Sequence, residues 1–297
     1  MMVVDQHAGV EQPKEWARLG FTPGQALRLF GMRRSGNHAI ANWLQRNSAT
    51  GRSVFLNNCK PTNDPFKSFR SIELDGEHAS HRKATSDLAS VAGAAGDGAL
   101  LLFSYEDVTP AMFAPKRAVS GPFNEALLTG NVLIYRGFLN WVASLLKKMQ
   151  GNANYSLLRR NAILLQAIDF YGLLLKQVEQ AQELGFTCVC YDDWVQDESY
   201  RATILTQLGL PLRDNSLGKV QSYGGGSSFQ KQVESAGELD VSRRWHQMAE
   251  DQEFAAVLQL SAHDTVLTSR LERLFPRDAA LLARIAGLNA PSEGEGS

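Results

Sequence analysis

The segment Leu27-Arg-Leu-Phe-Gly-Met-Arg-Arg-Ser-Gly-Asn-His-Ala-Ile-Ala-Asn-Trp-Leu44 decides the fold that the sequence predicts. An apolar run ends in a basic turn that contains glycine, and an amphipathic pattern follows at once. This is the layout of a strand, a phosphate-binding loop and a helix. Gly31 and Gly36 have the spacing of the two glycines in a GxxxxGK(S/T) loop, but Asn37 and His38 replace its lysine and its hydroxyl residue. We therefore predict a loop that binds a phosphate without holding a metal.

The chemistry of this loop favours an anion. Residues 32–38 are predicted to aim backbone N–H groups and the positive end of the following helix at one point. Arg34 adds a charge and a planar set of donors suited to a phosphate or a sulfonate, and Ser35 and Asn37 add neutral donors. The loop lacks the hydroxyl that coordinates magnesium after the lysine position, which counts against a kinase or NTPase. A tight basic turn on the surface is the alternative that these residues leave open.

Charge and hydropathy exclude several classes of protein. The 297-residue chain has 30 basic and 31 acidic residues, so it lacks the basic excess of a nucleic-acid binder. No window reaches the roughly 18 uninterrupted apolar residues of a membrane span. No charged segment leads into an apolar stretch at the N-terminus. We therefore predict a cytoplasmic protein that binds no nucleic acid and has no membrane span.

The cysteines predict neither a disulfide framework nor a metal site. The chain has three cysteines, Cys59, Cys188 and Cys190, and an odd number cannot all form disulfide pairs within the chain. A metal site would need further ligands close by. We predict buried, reduced thiols.

The rest of the chain alternates between strand and helix patterns. Continuous apolar runs predict strands buried on both faces of a parallel sheet, at residues 53–57, 99–105, 132–135 and 186–191. Helical spacing covers residues 138–149 and 155–184, whereas the pattern over 60–98 is weak. We predict an α/β fold with a parallel sheet in three α/β/α layers, of the P-loop NTPase-like type. An extension (1–24), one domain (25–289) and a disordered tail (290–297) are the expected parts.

A second segment adds a family resemblance. In Asn131-Val-Leu-Ile-Tyr-Arg-Gly-Phe-Leu-Asn-Trp-Val-Ala-Ser144 an arginine ends a strand, and a serine lies two turns into the next helix. Together the two segments resemble the sulfotransferase family, whose donor is 3′-phosphoadenosine 5′-phosphosulfate (PAPS). The family's first loop grips the 5′-phosphosulfate, and its second motif holds the 3′-phosphate. The resemblance implies the first role for Arg34-Ser35-Gly36-Asn37-His38 and the second for Arg136 and Ser144.

The resemblance covers roughly residues 26–246 and is looser towards its end. Residues 225–230 and 242–245 occupy the region where a C-terminal segment of the family closes over the nucleotide. The donor-binding residues implied in addition to those above are Arg33, Ser227, Ser228, Arg243 and Arg244. Five residues depart from the family pattern: Arg34 replaces a lysine, Asn37 and His38 replace hydroxyl residues, and Gly137 and Phe138 replace Asp-Pro. Trp141, between the arginine and the serine, is expected to pack the helix.

The resemblance implies transfer of a sulfuryl group to a hydroxyl or amine of a small-molecule or carbohydrate acceptor. Arg34, the helix N-terminus and His38 would stabilise the leaving group. The expected base is Glu106, since family members place a His or Glu near this point, with Asp107 as its local rival. The alternatives without a catalytic role are that His38 caps the helix and that Glu106 is a solvated loop carboxylate. A P-loop kinase or NTPase, an inactive nucleotide-binding module and a homodimer across the long helix are left open.

Overall fold

The computed structural model describes residues 13–113, 118–218, 244–285 and residue 287. The strands in these parts of the chain are β1 (Gln25–Gly31), β2 (Ser53–Asn57), β3 (Ser71–Leu74), β4 (Glu77–His81), β5 (Leu100–Glu106), β6 (Gly130–Tyr135) and β7 (Phe186–Cys190). They form one seven-stranded sheet in the order β4-β3-β2-β5-β1-β6-β7.

Five neighbouring strands of this sheet are parallel, namely β2, β5, β1, β6 and β7. The predicted strands all occur, with bounds that differ by at most two residues. Residues on the two sides of β1 enter different cores, because side chains alternate along a strand. Phe30 packs with one apolar cluster, and Leu29 packs with the other. The continuous apolar character of these strands therefore follows from burial on both faces.

The hairpin of β3 and β4 adds two antiparallel strands to the predicted parallel sheet. Both strands pair antiparallel and extend the sheet beyond β2, within the region of weak pattern. Most of β4 is exposed, so burial does not impose apolar residues on it. Asp75-Gly76, both with positive φ, form the two-residue turn between the strands. Asp-Gly is a known hairpin signal that the sequence did contain.

Helices cover both faces of the sheet. They are α1 (Lys14–Ala17), α2 (Asn37–Arg46), α3 (Pro65–Ser68), α4 (Leu88–Ala92), α5 (Phe138–Gln150), α6 (Leu157–Glu179), α7 (Ala181–Leu184), α8 (Tyr191–Gln196), α9 (Glu198–Gln207), α10 (Gln252–Ala262), α11 (Thr265–Leu274) and α12 (Pro276–Ile285). One apolar cluster takes residues from α5, α6 and α10–α12, and the other from α2, α8 and α9. The molecule is thus an α/β protein with a mostly parallel central sheet flanked by helices, which is compatible with three α/β/α layers. In the described parts of the chain, every helix is too short or too polar to cross a bilayer.

Two further predictions can be compared with the structure. The long helical pattern is interrupted at Gln180, which separates α6 from α7.

All three cysteines are free; Cys59 and Cys190 are buried, and Cys188 is half-buried. Burial raises the pKa of the Cys188 thiol to about 12, so this group is an unreactive thiol at neutral pH.

The strand order reverses beside β1. From β1 the chain continues to β2 on one side of β1, and after β5 it crosses to β6 on the other side. In open parallel sheets, ligands bind beyond the carboxyl ends of the strands at such a reversal of strand order. The loop after β1 is at this position.

Candidate functional site

The loop between β1 and α2 depends on its two glycines. Gly36 has a φ of 93°, and a Cβ atom there would lie 2.1 Å from the Tyr191 ring. A Cβ at Gly31 would lie 2.3 Å from Oδ1 of Asn37. Arg34, between them, also has a positive φ, 72°. Backbone strain of this kind, which is uncommon outside glycine, occurs often where a loop is shaped around a ligand.

Polar groups without partners lie at the start of α2. Ser35 is fully buried, and its hydroxyl has no hydrogen-bond partner among the described residues. No side chain caps α2 at Gly36 in that same part of the structure. The first N–H groups of a helix have no partner within the helix and carry its positive dipole. Buried polar groups are normally satisfied, so these groups are available to hydrogen-bond an anion.

Two arginines converge on one buried hydroxyl. Arg34 Nε and Arg244 Nη1 each donate to Ser144 Oγ at 3.2 Å. Ser144 lies on α5 and is fully buried, and Arg244 is 5% exposed. Arg136, which follows β6 directly, is 1% exposed. The structure therefore brings together side chains from the first loop, the β6–α5 segment and the segment before α10. We call Arg34, Arg136 and Arg244 the arginine cluster.

The members of this cluster repel one another. Burial, followed by the charge of Arg136, lowers the pKa of Arg34. The same two causes, in the same order, lower the pKa of Arg244 to about 9. Tyr191 opposes the shift in both arginines, joined by Glu106 at Arg34 and by Asp192 at Arg244. Mutual repulsion in a buried place means that an anion bound among these side chains would be favoured.

Arg136 is held from several sides. Its Nε lies 3.6 Å from Oδ1 of Asp192, and its guanidinium lies over the Tyr191 ring at 5.0 Å. Its backbone carbonyl accepts a hydrogen bond from the Tyr171 hydroxyl at 2.7 Å. Tyr191, which also packs against Gly36, thus lies between the first loop and Arg136. Sequence reasoning missed Tyr191 and Asp192, although both directly follow β7, near the end of the strand predicted at 186–191.

Glu106 ends β5 with its carboxylate between two amides. Oε1 accepts from Nδ2 of Asn37 at 3.4 Å, and Oε2 accepts from Nδ2 of Asn58 at 3.0 Å. Asn58 was also missed. It directly follows β2, which pairs in parallel with β5, so its position at the end of the neighbouring strand was a usable signal. Both amides orient the carboxylate and leave it half-exposed.

The other predicted residues of the first loop make different contacts. Arg33 is exposed and forms an ion pair with Asp107, the rival base, whose Oδ1 also accepts from the Arg33 backbone at 2.8 Å. His38 faces β3, with Nδ1 3.7 Å from Oε1 of the buried Glu73. The Asn37 amide also donates to the Met32 carbonyl at 3.2 Å. These contacts hold the loop in place on the sheet.

Trp141 fixes the loop to α5. Its indole N–H donates to the Arg33 carbonyl at 3.0 Å, and its ring stacks on Tyr171 with centroids 4.5 Å apart. Trp141 is fully buried, which confirms the expectation that it packs the helix. Three predicted donor-binding residues, Ser227, Ser228 and Arg243, lie outside the described residues. Within the described ranges, no group of three or more His, Cys, Asp or Glu side chains is arranged to hold a metal ion.

Comparisons with known proteins add no family assignment. No protein-family model matches the chain, and searches of curated proteins and of solved structures find no match either.

Proposed function

We propose that the chain is a sulfotransferase that moves a sulfuryl group from PAPS to a hydroxyl or amine. The observation that carries this proposal is the convergence of Arg34 and Arg244 on the buried Ser144 beside Arg136. A buried concentration of positive charge is costly unless an anion joins it. The donor has phosphate at both ends, and the cluster together with the start of α2 offers two groups of anion-binding donors.

We infer that the fold is of the P-loop type. The loop follows the central strand β1, at the reversal of strand order, and leads into α2 through Gly36. The orphaned hydroxyl of Ser35 and the uncapped start of α2 fit the 5′-phosphosulfate. Arg136, Ser144 and Arg244 fit the 3′-phosphate, because all three are buried and two of them are guanidinium groups.

The proposed reaction is a displacement at sulfur. An oxygen or nitrogen of the acceptor forms a bond to sulfur, the bond from sulfur to the bridging oxygen breaks, and adenosine 3′,5′-bisphosphate leaves. Arg34 and the start of α2 would stabilise the negative charge that develops on the bridging oxygen. Glu106, oriented by Asn37 and Asn58, would accept the proton of the acceptor. His38, held towards Glu73, is the further candidate for the leaving-group side.

The test is a calorimetric titration with adenosine 3′,5′-bisphosphate in the absence of magnesium. We expect a Kd in the micromolar range, which is about −8 kcal/mol. Exchanging both Arg136 for Met and Ser144 for Ala should abolish this binding. Arg46→Met is the matched control, because Arg46 lies at the other end of α2 and pairs with Asp214. A wild-type protein that does not bind the bisphosphate would refute the proposal.

Two alternatives have different outcomes. Turnover of ATP with magnesium, and no response to PAPS, would identify a kinase or NTPase. Micromolar binding of the bisphosphate without sulfuryl transfer to any of a panel of phenol, sugar and amine acceptors would identify an inactive nucleotide-binding module. A screen with labelled donor would also define the acceptor class.

A further inference from the structure

Two carboxylates share the start of α5, directly beside Arg136. Oδ2 of Asp192 accepts from the Gly137 N–H at 2.6 Å, and Oδ2 of Asp278 accepts from the Leu139 N–H at 3.0 Å. Both Oδ2 atoms lie 3.2 Å from the place that a Cβ at Gly137 would occupy. The two carboxylates are therefore near neighbours, and each is also a cap of α5.

Asp278 belongs to α12, close to the end of the described chain, and reaches the site from outside the sheet. Several groups face it from the elements packed around it: Asp192 at the start of α8, Arg136 after β6, Tyr171 on α6, and the N–H groups of Phe138 and Leu139. Burial raises the pKa of Asp278 to about 6, and Asp192 adds to the shift, whereas the two N–H groups and Arg136 oppose it. Asp278 thus changes its charge close to neutral pH.

We propose that Asp278 is a positioning residue that couples anion binding at the arginine cluster to the uptake of a proton. The carboxylate and a bound anion compete for the same positive charge at Arg136. Protonation of Asp278 removes this competition. The carboxyl oxygen that does not carry the proton can still accept from the Leu139 N–H, so α5 keeps its cap. The inference rests on the proposed function only insofar as the cluster binds an anion.

The sign of the effect follows from linkage. A bound anion makes protonation of Asp278 more favourable, and by reciprocity protonation of Asp278 strengthens anion binding. Affinity is therefore highest where Asp278 is already protonated, below about pH 6, and falls as the pH rises above that value. Binding at pH 6.5–7 takes up part of a proton.

Inorganic sulfate is the probe of choice, because phosphate groups titrate near pH 6 themselves. Calorimetry in two buffers of different ionisation enthalpy gives the proton uptake of the wild-type protein without any substitution. We expect uptake of a fraction of a proton at pH 6.5–7 and an affinity for sulfate that falls roughly tenfold from pH 5.5 to pH 8, the factor that corresponds to one pKa unit. Affinity that is independent of pH, without proton uptake, would overturn the inference.

Asp278→Asn removes the charge and keeps an oxygen to cap α5. This variant should bind sulfate at pH 8 about as tightly as the wild type does at pH 5.5, with no proton uptake. Asp264→Asn is the matched control, since Asp264 caps α11 in the same group of helices through Val266 and Leu267. It should leave both the affinity for sulfate and its pH dependence unchanged.

The outcomes separate this inference from the proposed function. Sulfate binding that depends on Asp278, without binding of adenosine 3′,5′-bisphosphate, supports the inference and refutes the sulfotransferase. Binding of the bisphosphate, with the wild type and Asp278→Asn equal in their affinity for sulfate at every pH, supports the function and overturns the inference. A wild type that binds neither sulfate nor the bisphosphate overturns both.

Discussion

Arg244→Met is expected to make the ligand-free protein more stable and to weaken anion binding. The pKa of Arg244 falls from its ordinary range to about 9, chiefly through burial and then through Arg136. At 1.36 kcal/mol per unit, this is roughly 5 kcal/mol against the charged form in the folded state. Because the folded pKa is lowered, the cost is present in full below about pH 9 and is relieved as the pH rises above it.

The net gain will be smaller than this cost, since methionine cannot donate to Ser144. Replacing buried ionic groups by apolar side chains of similar volume stabilises proteins by about 1–4 kcal/mol in favourable cases. We expect a gain in this range in urea unfolding at pH 7, which shrinks above pH 9. Loss of a hydrogen bond from a charged donor, about 1.5–3 kcal/mol, should weaken binding of adenosine 3′,5′-bisphosphate by roughly 10- to 150-fold.

Arg28→Met is the control, because Arg28 is equally buried, pairs with Glu125 and donates to Ser120. This substitution removes the ion pair and the hydrogen bond and leaves Glu125, which is 33% exposed, without Arg28, so it should cost about 1–3 kcal/mol. The two arginine substitutions should therefore change stability in opposite directions. If Arg244→Met destabilises the ligand-free protein as much as Arg28→Met does, the electrostatic account of the cluster is wrong.

Two further predictions concern the base and the loop. Glu106→Gln keeps a side chain that can contact Asn58 but removes the proton acceptor, so the rate of sulfuryl transfer should fall by roughly 100-fold or more. Calorimetry should find an unchanged affinity for the bisphosphate. Turnover within a few-fold of wild type would show that Glu106 is not the base. Gly36→Ala forces a Cβ to 2.1 Å from the Tyr191 ring at a φ of 93°, and should cost about 3 kcal/mol of unfolding free energy. Gly96→Ala, at a φ of 76° with no atom within 4 Å of its Cβ, isolates the backbone part of that cost, and equal losses in the two variants would contradict the predicted clash.

The sequence predicted those parts of the fold in which neighbours along the chain are neighbours in space. The strand β1, the loop after it and α2 form one continuous segment. The apolar run, the glycines and the amphipathic pattern were therefore sufficient to predict all three. Apolar runs did not predict the β3–β4 hairpin, because β4 is exposed. Its Asp75-Gly76 turn was the more reliable signal.

The candidate site was predicted less completely, because its residues meet only through the sheet. Arg136 and Ser144 lie in one recognisable segment, whereas Asn58 reaches Glu106 only because β2 pairs with β5. Asp278 comes from α12 and touches Leu139 at the start of α5. No local pattern marks an acidic residue on a surface helix as the cap of a distant one. Pairing of strands and docking of helices must be known first.

The central position of β1 has a consequence for how the protein comes to be folded during its synthesis. Gln25 pairs with Leu100, and Leu27 pairs with Gly130, so β1 has no partner on one side until β5 has been made and none on the other until β6 has been made. Contacts so distant along the chain make folding slow, and they leave apolar strands exposed in the meantime. The loop after β1 is synthesised before β6 and α5, but it can take its final shape only once the indole N–H of Trp141 is available to donate to the Arg33 carbonyl. Newly made chains should accordingly depend on chaperones until β6 and α5 have emerged from the ribosome.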